Sequence, residues 1–434
     1  MPDRQPQTRR HYIKAVGTAS VATLASLGGC LQSGGTQTET GDDGTIEGPI
    51  PMGSILPITG ALNAYGSGMQ AAVQQAVDDI NEAGGVRGAD LKLYTRDSET
   101  KPQQAAQKYN SLVSSQNIVG FVGAASSGVS TTIAENLASD EVMEMSNAST
   151  SPVLATLGYK TVDDEEVKLF GRTAPNDGQQ GLIMGRIMNQ TIEADSAAFL
   201  HVANAYGKGL ADKAKAAFDG ETTAVVGYDK KSQDYTSVLD TLHADDPDAI
   251  GIVGYPENGK TILQQWSAGG YNTSASDWVL SEGLNSKDFL QENSDITSDM
   301  WISAPNPEQT PGAETFQDKL GDQAGTLFAP HAYDGMFLMA LAMEKSGKAD
   351  AISIAKNIQS VSQPQGTKVT VGEFQEAADL LADGEIIDYQ GASSPVNLNE
   401  NLEPLNAFAI LQVKGDGTRE TIEEIPRSYF EGKL

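Results

Sequence analysis

Ile118-Val-Gly-Phe-Val-Gly-Ala-Ala-Ser-Ser-Gly128, followed one segment later by Glu141-Val-Met-Glu-Met-Ser-Asn-Ala-Ser-Thr-Ser-Pro152, decides the fold. Each stretch opens on a short apolar, β-rich run and passes into a loop of small and hydroxyl-bearing residues. Each then leads toward helical sequence: the first into a helix to about residue 138, the second into a further helix beyond Pro152. A strand, a Ser/Thr loop and a helix start, repeated in succession, predict βα units on a parallel sheet with helices on both faces.

Outward from there the alternation continues. Residues 52–57 read as a strand, and 68–83 as a helix whose Ala71, Ala72, Ala76, Val77 and Ile80 recur at helical spacing, stopped by Gly84-Gly85. A strand over 90–96 and a helix over 101–114 precede the opening stretch. After Gly171-Arg-Thr-Ala-Pro175 a second series begins. It has helices at 179–190, 208–218, 235–243 and 258–268, and strands at 197–201, 223–226, 249–253 and 278–280. Ser303-Ala-Pro-Asn-Pro307 reads as a rigid, proline-marked segment. A long helix over 330–346 and a β-rich end, with strands at 386–389 and 405–413 and a turn at Gly415-Asp-Gly417, complete the chain. No internal sequence repeat is visible. The expected fold class is α/β, two doubly wound lobes joined by several crossings.

The chain has 434 residues, 29 Lys+Arg against 58 Asp+Glu, and a net charge of −29, so more than one core is expected. A surface so acidic offers no cationic stripe for nucleic acid, which excludes DNA and RNA as partners. The acidity is spread along the chain, which argues against a disordered acidic tail and fits a hydrated surface adapted to high salt; an ordinary acidic protein is the plainer alternative.

Thr8-Arg9-Arg10-His-Tyr-Ile-Lys14 resembles a twin-arginine export signal, and the apolar stretch 15–27 is too short to span a bilayer, which needs roughly 20 residues. Leu27-Gly-Gly-Cys30 resembles a lipobox, so Cys30, the one cysteine in the chain, is expected to carry a lipid, and no disulfide can form within the chain. Residues 1–29 are expected to be signal and 30–48 a flexible acidic linker, rich in Ser, Thr, Gly and acids.

The chemistry lies at strand ends. Ser126-Ser-Gly128 and Ala148-Ser-Thr150 each sit where a strand feeds a helix, where free N–H groups and hydroxyls favour an anion, and one carboxylate suits two neutral loops better than a phosphate. In a doubly wound sheet such loops form the ligand crevice. Singly, each loop is better explained by helix capping, a reading that weakens once the two are taken together with the rest of the chain. There is no P-loop or G-x-G-x-x-G, no cofactor motif and no His/Cys/carboxylate cluster with metal spacing. Ala124-Ala-Ser-Ser-Gly128 lacks the first glycine of a nucleophile elbow, and the four histidines are scattered, so no enzyme is expected.

From residue 49 to the C-terminus the chain resembles the branched-chain amino-acid-binding receptors of ABC transporters, with a type I periplasmic-binding-protein fold. The resemblance rests on a collinear series: ILPITGALNAYG (55–66), AVDDINEAGGVRG (76–88), VGAASSGVS (122–130), MSNASTSP (145–152), FGRTAPNDGQQG (170–181), AYGKGLA (205–211), YDKKSQDYTSVLDTL (228–242), GYPENGKTILQQWSAGG (254–270) and AYDGMFLMALA (332–342). It implies lobe 1 over 49–171 and 306–390, lobe 2 over 172–305 and 391–434, and three hinge crossings near 171–173, 303–306 and 390–392.

It further implies that Ser127 and Thr150 hold a ligand carboxylate, that the Ala148 carbonyl and Glu282 take its ammonium, and that Tyr206, Tyr255 and Tyr65 enclose it. The plain readings are a solvated surface acid for Glu282, packing tyrosines at turns for Tyr206 and Tyr255, and a helix brace for Asp334. The cysteine pair often present in the first lobe of such receptors is absent, and Asp163-Asp-Glu-Glu166 is an acidic addition. The implied partners are a small amino acid, permease and ATPase subunits, and the membrane through the lipid, with the receptor acting as a monomer. Urea, short amides or another small carboxylate as ligand, or a sensory ectodomain in place of a transport receptor, are the alternatives on the same scaffold.

Overall fold

In a computed structural model, residues 45–271, 277–306 and 310–434 are described. The segments proposed as export signal and lipidation site, Cys30 included, lie outside them. Ile46 is buried at 4% exposure, with its N–H bonded to the Arg87 carbonyl. The described part thus reaches into the stretch expected to be linker, where Ile46 takes an apolar seat.

The first series runs β1 (Ile50–Leu56), α1 (Asn63–Glu82), β2 (Leu91–Asp97), α2 (Pro102–Gln116), β3 (Gly120–Gly123), α3 (Ser127–Asp140) and β4 (Met143–Ser146). No regular α-helix follows Pro152. A single 3₁₀ turn, Pro152–Thr156, leads into a hairpin of β5 (Tyr159–Val162) and β6 (Glu165–Lys168). Its turn residues Asp163 and Asp164 have φ of 53° and 66°, the left-handed pair of a tight hairpin turn, which aspartate tolerates. The acidic insertion is thus the hairpin tip. β7 (Phe170–Arg172) closes a five-stranded parallel sheet of order β2-β1-β3-β4-β7.

The chain then builds a second sheet through α4 (Asp177–Arg186), β8 (Ser196–Val202), α5 (Ala205–Ala217), β9 (Glu221–Tyr228), α6 (Thr236–Leu242), β10 (Ala249–Val253), α7 (Pro256–Ala268), β11 (Asp277–Leu280), α8 (Lys287–Glu292), α9 (Ser294–Thr297) and β12 (Trp301–Pro305). The proline-marked segment is therefore mostly β12. It lies parallel to β11 and antiparallel to a C-terminal strand, with Pro305 at its end, where a missing N–H costs least.

The path returns to the first sheet with α10 (Pro311–Leu320), α11 (Ala329–Ser346), α12 (Ala351–Asn357), β13 (Thr367–Thr370), α13 (Phe374–Ala382) and β14 (Ile387–Gln390). Helix α11 is buried from Ala329 to Glu344 and packs on α1, α12, α13, β3 and β4. A helix apolar on all sides is stable only when covered all round. Finally β15 (Phe408–Val413) and β16 (Arg419–Ile425) add an antiparallel edge, giving the order β16-β15-β12-β11-β10-β8-β9.

The last passage falls later than expected from the sequence. Lys168 Nζ donates to the Asn401 carbonyl and the Arg172 N–H to that of Leu402, while Ser362 Oγ donates to the Pro395 carbonyl. Residues 391–404 thus stay with the first lobe, and the chain joins the second sheet only at Phe408. Asp334 holds the start of this stretch: its carboxylate accepts from Tyr389 Oη, the N–H groups of Ala392 and Ser393, and Ser393 Oγ. It braces a first-lobe segment ahead of the last crossing and does not line the cleft described below.

Candidate functional site

The carboxyl ends of the strands in the two sheets face one another across a cavity with about 330 Å³ of empty space, part of it open to solvent. Tyr65, Ser127 and Ala148 line it from the first lobe; Tyr206, Tyr255 and Glu282 line it from the second. Thr150 is the one proposed ligand residue that does not. Its hydroxyl is buried behind the wall on the Asp177 side, and its carbonyl accepts from the Asp177 N–H at 2.8 Å. Leu62, Met69, Ala125, Leu327 and Phe328 add an apolar lining. These were not singled out in the sequence, because an apolar residue beside a strand end looks the same whether it faces core or ligand.

The first lobe contributes a wall of neutral donors locked by its own polar network. Ser127 is the first residue of α3, whose opening N–H groups have no partner within the helix. The preceding Ser126 makes no side-chain cap; its hydroxyl lies 3.3 Å from Tyr255 Oη across the cleft. The Ala124 carbonyl accepts from Ser146 Oγ at 2.6 Å and Ser149 Oγ at 2.8 Å, tying the two loops together. Behind them, fully buried Arg172 donates from Nη1 to the carbonyls of Ser149 and Ser151, both at 2.9 Å, and from Nη2 to Glu403 Oε1 at 2.6 Å. Several hydroxyls of the two loops therefore hold the loops, and the Ser127 hydroxyl, which accepts from the Ser151 N–H at 3.2 Å, remains on the cavity.

The second lobe contributes charge and aromatic rings. Asn204 caps α5 by accepting from the Gly207 N–H at 2.8 Å, which fixes Tyr206 in the first turn. The Tyr206 ring stacks on Tyr255, with centroids 5.6 Å apart and planes inclined by 12°. Tyr206 Oη lies 2.9 Å from both Ser281 Oγ and Glu282 Oε2 and can donate its one proton to the carboxylate. Tyr255 precedes the helix-opening Pro256, and its hydroxyl accepts from Asn204 Nδ2 at 3.0 Å. Tyr65 of the first lobe donates to the Gly283 carbonyl at 3.1 Å, so the lobes already touch. A side chain at Gly283 would meet the Gly254 carbonyl oxygen at 2.3 Å, so the turn carrying Glu282 needs a glycine there.

Glu282 is only 3% exposed, so it is not a solvated surface acid. Burial pushes its carboxyl up to about 7, held from rising further by bonds from Tyr206 and Gln180. Asp177 lies close enough to interact with it. Burial first and the Glu282 charge second raise Asp177 well above the usual carboxylate range, with the Thr150 hydroxyl and the Arg172 charge opposing them. Asp177 sits inside the quoted segment 170–181, yet nothing in that segment separates a buried acid from a helix-opening one. Among the described residues no cluster of His, Cys, Asp and Glu could hold a metal ion, and no helix is long and apolar enough to cross a membrane.

The periplasmic binding protein family matches residues 49–379. The chain belongs to that family. It is 31% identical over 387 residues, 88% of this chain and 91% of the relative, to the chemotactic signal transduction system substrate-binding protein BasB of Halobacterium salinarum. It is 25% identical, over 76% of this chain and 88% of the relative, to a Leu/Ile/Val-binding protein homolog of Brucella melitensis. Among solved structures it resembles the leucine-binding protein LivK of Thermotoga maritima, with a TM-score of 0.72 and 20% identity, over 88% of this chain and 99% of that one. The Streptococcus pneumoniae LivJ protein in complex with isoleucine gives a TM-score of 0.69 at 20% identity, over 87% and 99%. The fold is that of a type I periplasmic binding protein, and the chain is a substrate-binding protein of that family, whose place is outside the cytoplasm.

Proposed function

We propose that this chain is an extracytoplasmic receptor for a small amino acid with a neutral aliphatic side chain, bound between lobes that close on it. The observation carrying the reading is Glu282, a buried carboxylate on the cavity wall with no cation among the groups that shift its proton affinity. A ligand ammonium would supply the missing positive charge. On the other wall, Ser127 and the opening turn of α3 offer the hydroxyl and N–H groups that a carboxylate needs. Ala148 offers its carbonyl to the ammonium. Tyr206, Tyr255 and Tyr65 enclose the ligand, and Leu62, Met69 and Phe328 receive the aliphatic chain. Thr150 joins the carboxylate site only if its loop turns, since its hydroxyl now lies behind the wall. Two relatives named for leucine, isoleucine and valine support this ligand class.

Isothermal titration against leucine, isoleucine, valine and alanine, then urea and acetamide, tests the reading. Saturable heat with the amino acids and none with the amides is expected; tight binding of urea with no response to leucine would move the ligand class to amides. In transport the closed receptor would dock on a permease driven by its ATPase, tethered through lipid on Cys30 after twin-arginine export, with its acidic surface adapted to high salt. A sensory role is the second reading, favoured by the chemotaxis relative at 31% identity. A cell lacking the gene separates the two: loss of labelled amino-acid uptake marks transport, while intact uptake with lost attraction to the amino acid marks sensing.

A further inference from the structure

Beside the amino-acid cavity lies a larger one, about 720 Å³, next to the end of β12. The two share Leu327 and Phe328 as a common wall. The first lobe supplies Thr326 to Phe328, Pro330 and His331; the second supplies Asn285, Leu411 and Arg419. Acids outnumber bases two to one in this chain, yet none of the described residues lining the second cavity is acidic.

Arg419 Nη1 donates to the carbonyl and the Oδ1 of Asn285, at 3.3 and 2.7 Å. Arg419 lines the cavity, and the ion pairs formed among the described residues do not include it. His331 is 2% exposed, and neither ring nitrogen has a hydrogen-bond partner. Burial pushes its conjugate acid down to about 3, which keeps the ring neutral with one N–H to give. A buried donor left idle costs stability, so the His331 N–H on the cavity wall marks a place for an acceptor, with the Arg419 charge beside it. The remaining wall is apolar, through Leu327, Phe328, Pro330 and Leu411.

We propose that this second cavity binds a small organic carboxylate, its oxygens on Arg419 and His331 and its hydrocarbon part on Leu327, Phe328 and Leu411. Guanidinium is the side chain whose fork matches a carboxylate, and an apolar floor favours an organic acid over a bare inorganic anion.

The test is isothermal titration of sodium butyrate at constant ionic strength into the full chain, both free and saturated with its tightest-binding amino acid. Saturable heat is expected in both states. Arg419→Gln should weaken butyrate about tenfold or more, the value of one charge-assisted hydrogen bond, while amino-acid affinity stays within about twofold. Arg419 is exposed, so that variant keeps its core. His331→Phe should weaken butyrate as well. No saturable heat, or heat unchanged in both variants, overturns the proposal. Heat that vanishes once amino acid is present overturns it too, by putting butyrate in the first cavity, and an equal response to chloride or sulfate would reduce it to a non-selective anion site. Titration of the free protein reads the second cavity even if no amino acid occupies the first, so either reading can fail alone.

Discussion

The two walls of the cleft solve different problems. The first-lobe wall carries no ionised group at its surface: its serines and carbonyls are held by one another and by Arg172 from behind. The second-lobe wall carries Glu282, two stacked tyrosines and, nearby, fully buried Asp177. One wall holds its loops in place without ligand, and the other carries a buried acid with no cation paired to it among the described residues. A neutral, preorganised wall can hold a ligand's head group before closure, while an uncompensated buried acid gains a partner only when the second lobe arrives. That is a physical reason for closure to depend on the ligand.

The largest expected effect tests the first wall. Arg172→Met would strand buried Glu403 and two loop carbonyls, costing about 3–5 kcal/mol, the range for breaking a buried ion pair. Urea denaturation measures it, and a loss below about 1 kcal/mol would mean the loops stand without the arginine. Glu282→Gln tests the second wall with the opposite signature. Amino-acid affinity should fall about 10- to 100-fold, corresponding to about 1.5–3 kcal/mol, while stability holds or rises, because a buried carboxylate has been removed. Unchanged affinity in calorimetry would strip Glu282 of its assigned role.

A pH series sharpens the contrast. Glu282 has its folded-state pKa raised from 4.5 to about 7, so in the free protein it costs stability once the pH exceeds the unfolded value. That cost grows up to about pH 7 and is constant above. A ligand ammonium needs the ionised form, so affinity should fall by up to about tenfold per unit below pH 7 and level off above it, with proton release on binding. Calorimetry in buffers of different ionisation enthalpy reads that proton, and a flat profile from pH 5 to 8 would show a carboxylate ionised throughout. Ser127→Ala is the smallest: losing one neutral hydroxyl should cost about 0.5–1.5 kcal/mol of binding with no pH signature. A loss as large as that for Glu282→Gln would mean that the first wall is not the neutral one.

Much of the strand and helix order was legible because buried parallel strands are apolar runs and their helices keep the 3.6-residue period. The helix expected after Pro152 failed where a tight Asp163-Asp164 turn lets an antiparallel pair form instead. β12 was misread because its prolines look like breakers, although Pro305 comes at the strand end. At the site, Glu282, Tyr206, Tyr255, Tyr65, Ser127 and Ala148 do share one cavity. Thr150 lies behind it and Asp177 was passed over, since burial of a polar side chain is not written in its neighbours.

By itself the sequence determined the alternation of strands and helices, the acidic surface and the positions of hydroxyl-rich loops at strand ends. These are local properties, set by periodicity, composition and helix-start chemistry within a dozen residues. Only the tertiary structure decided which hydroxyls serve the loops and which the cavity, that Glu282 is buried without a cation, and that Arg419 and His331 border a second space. Those outcomes depend on contacts between segments from 22 to 218 residues apart, and no local pattern encodes which distant group will desolvate another.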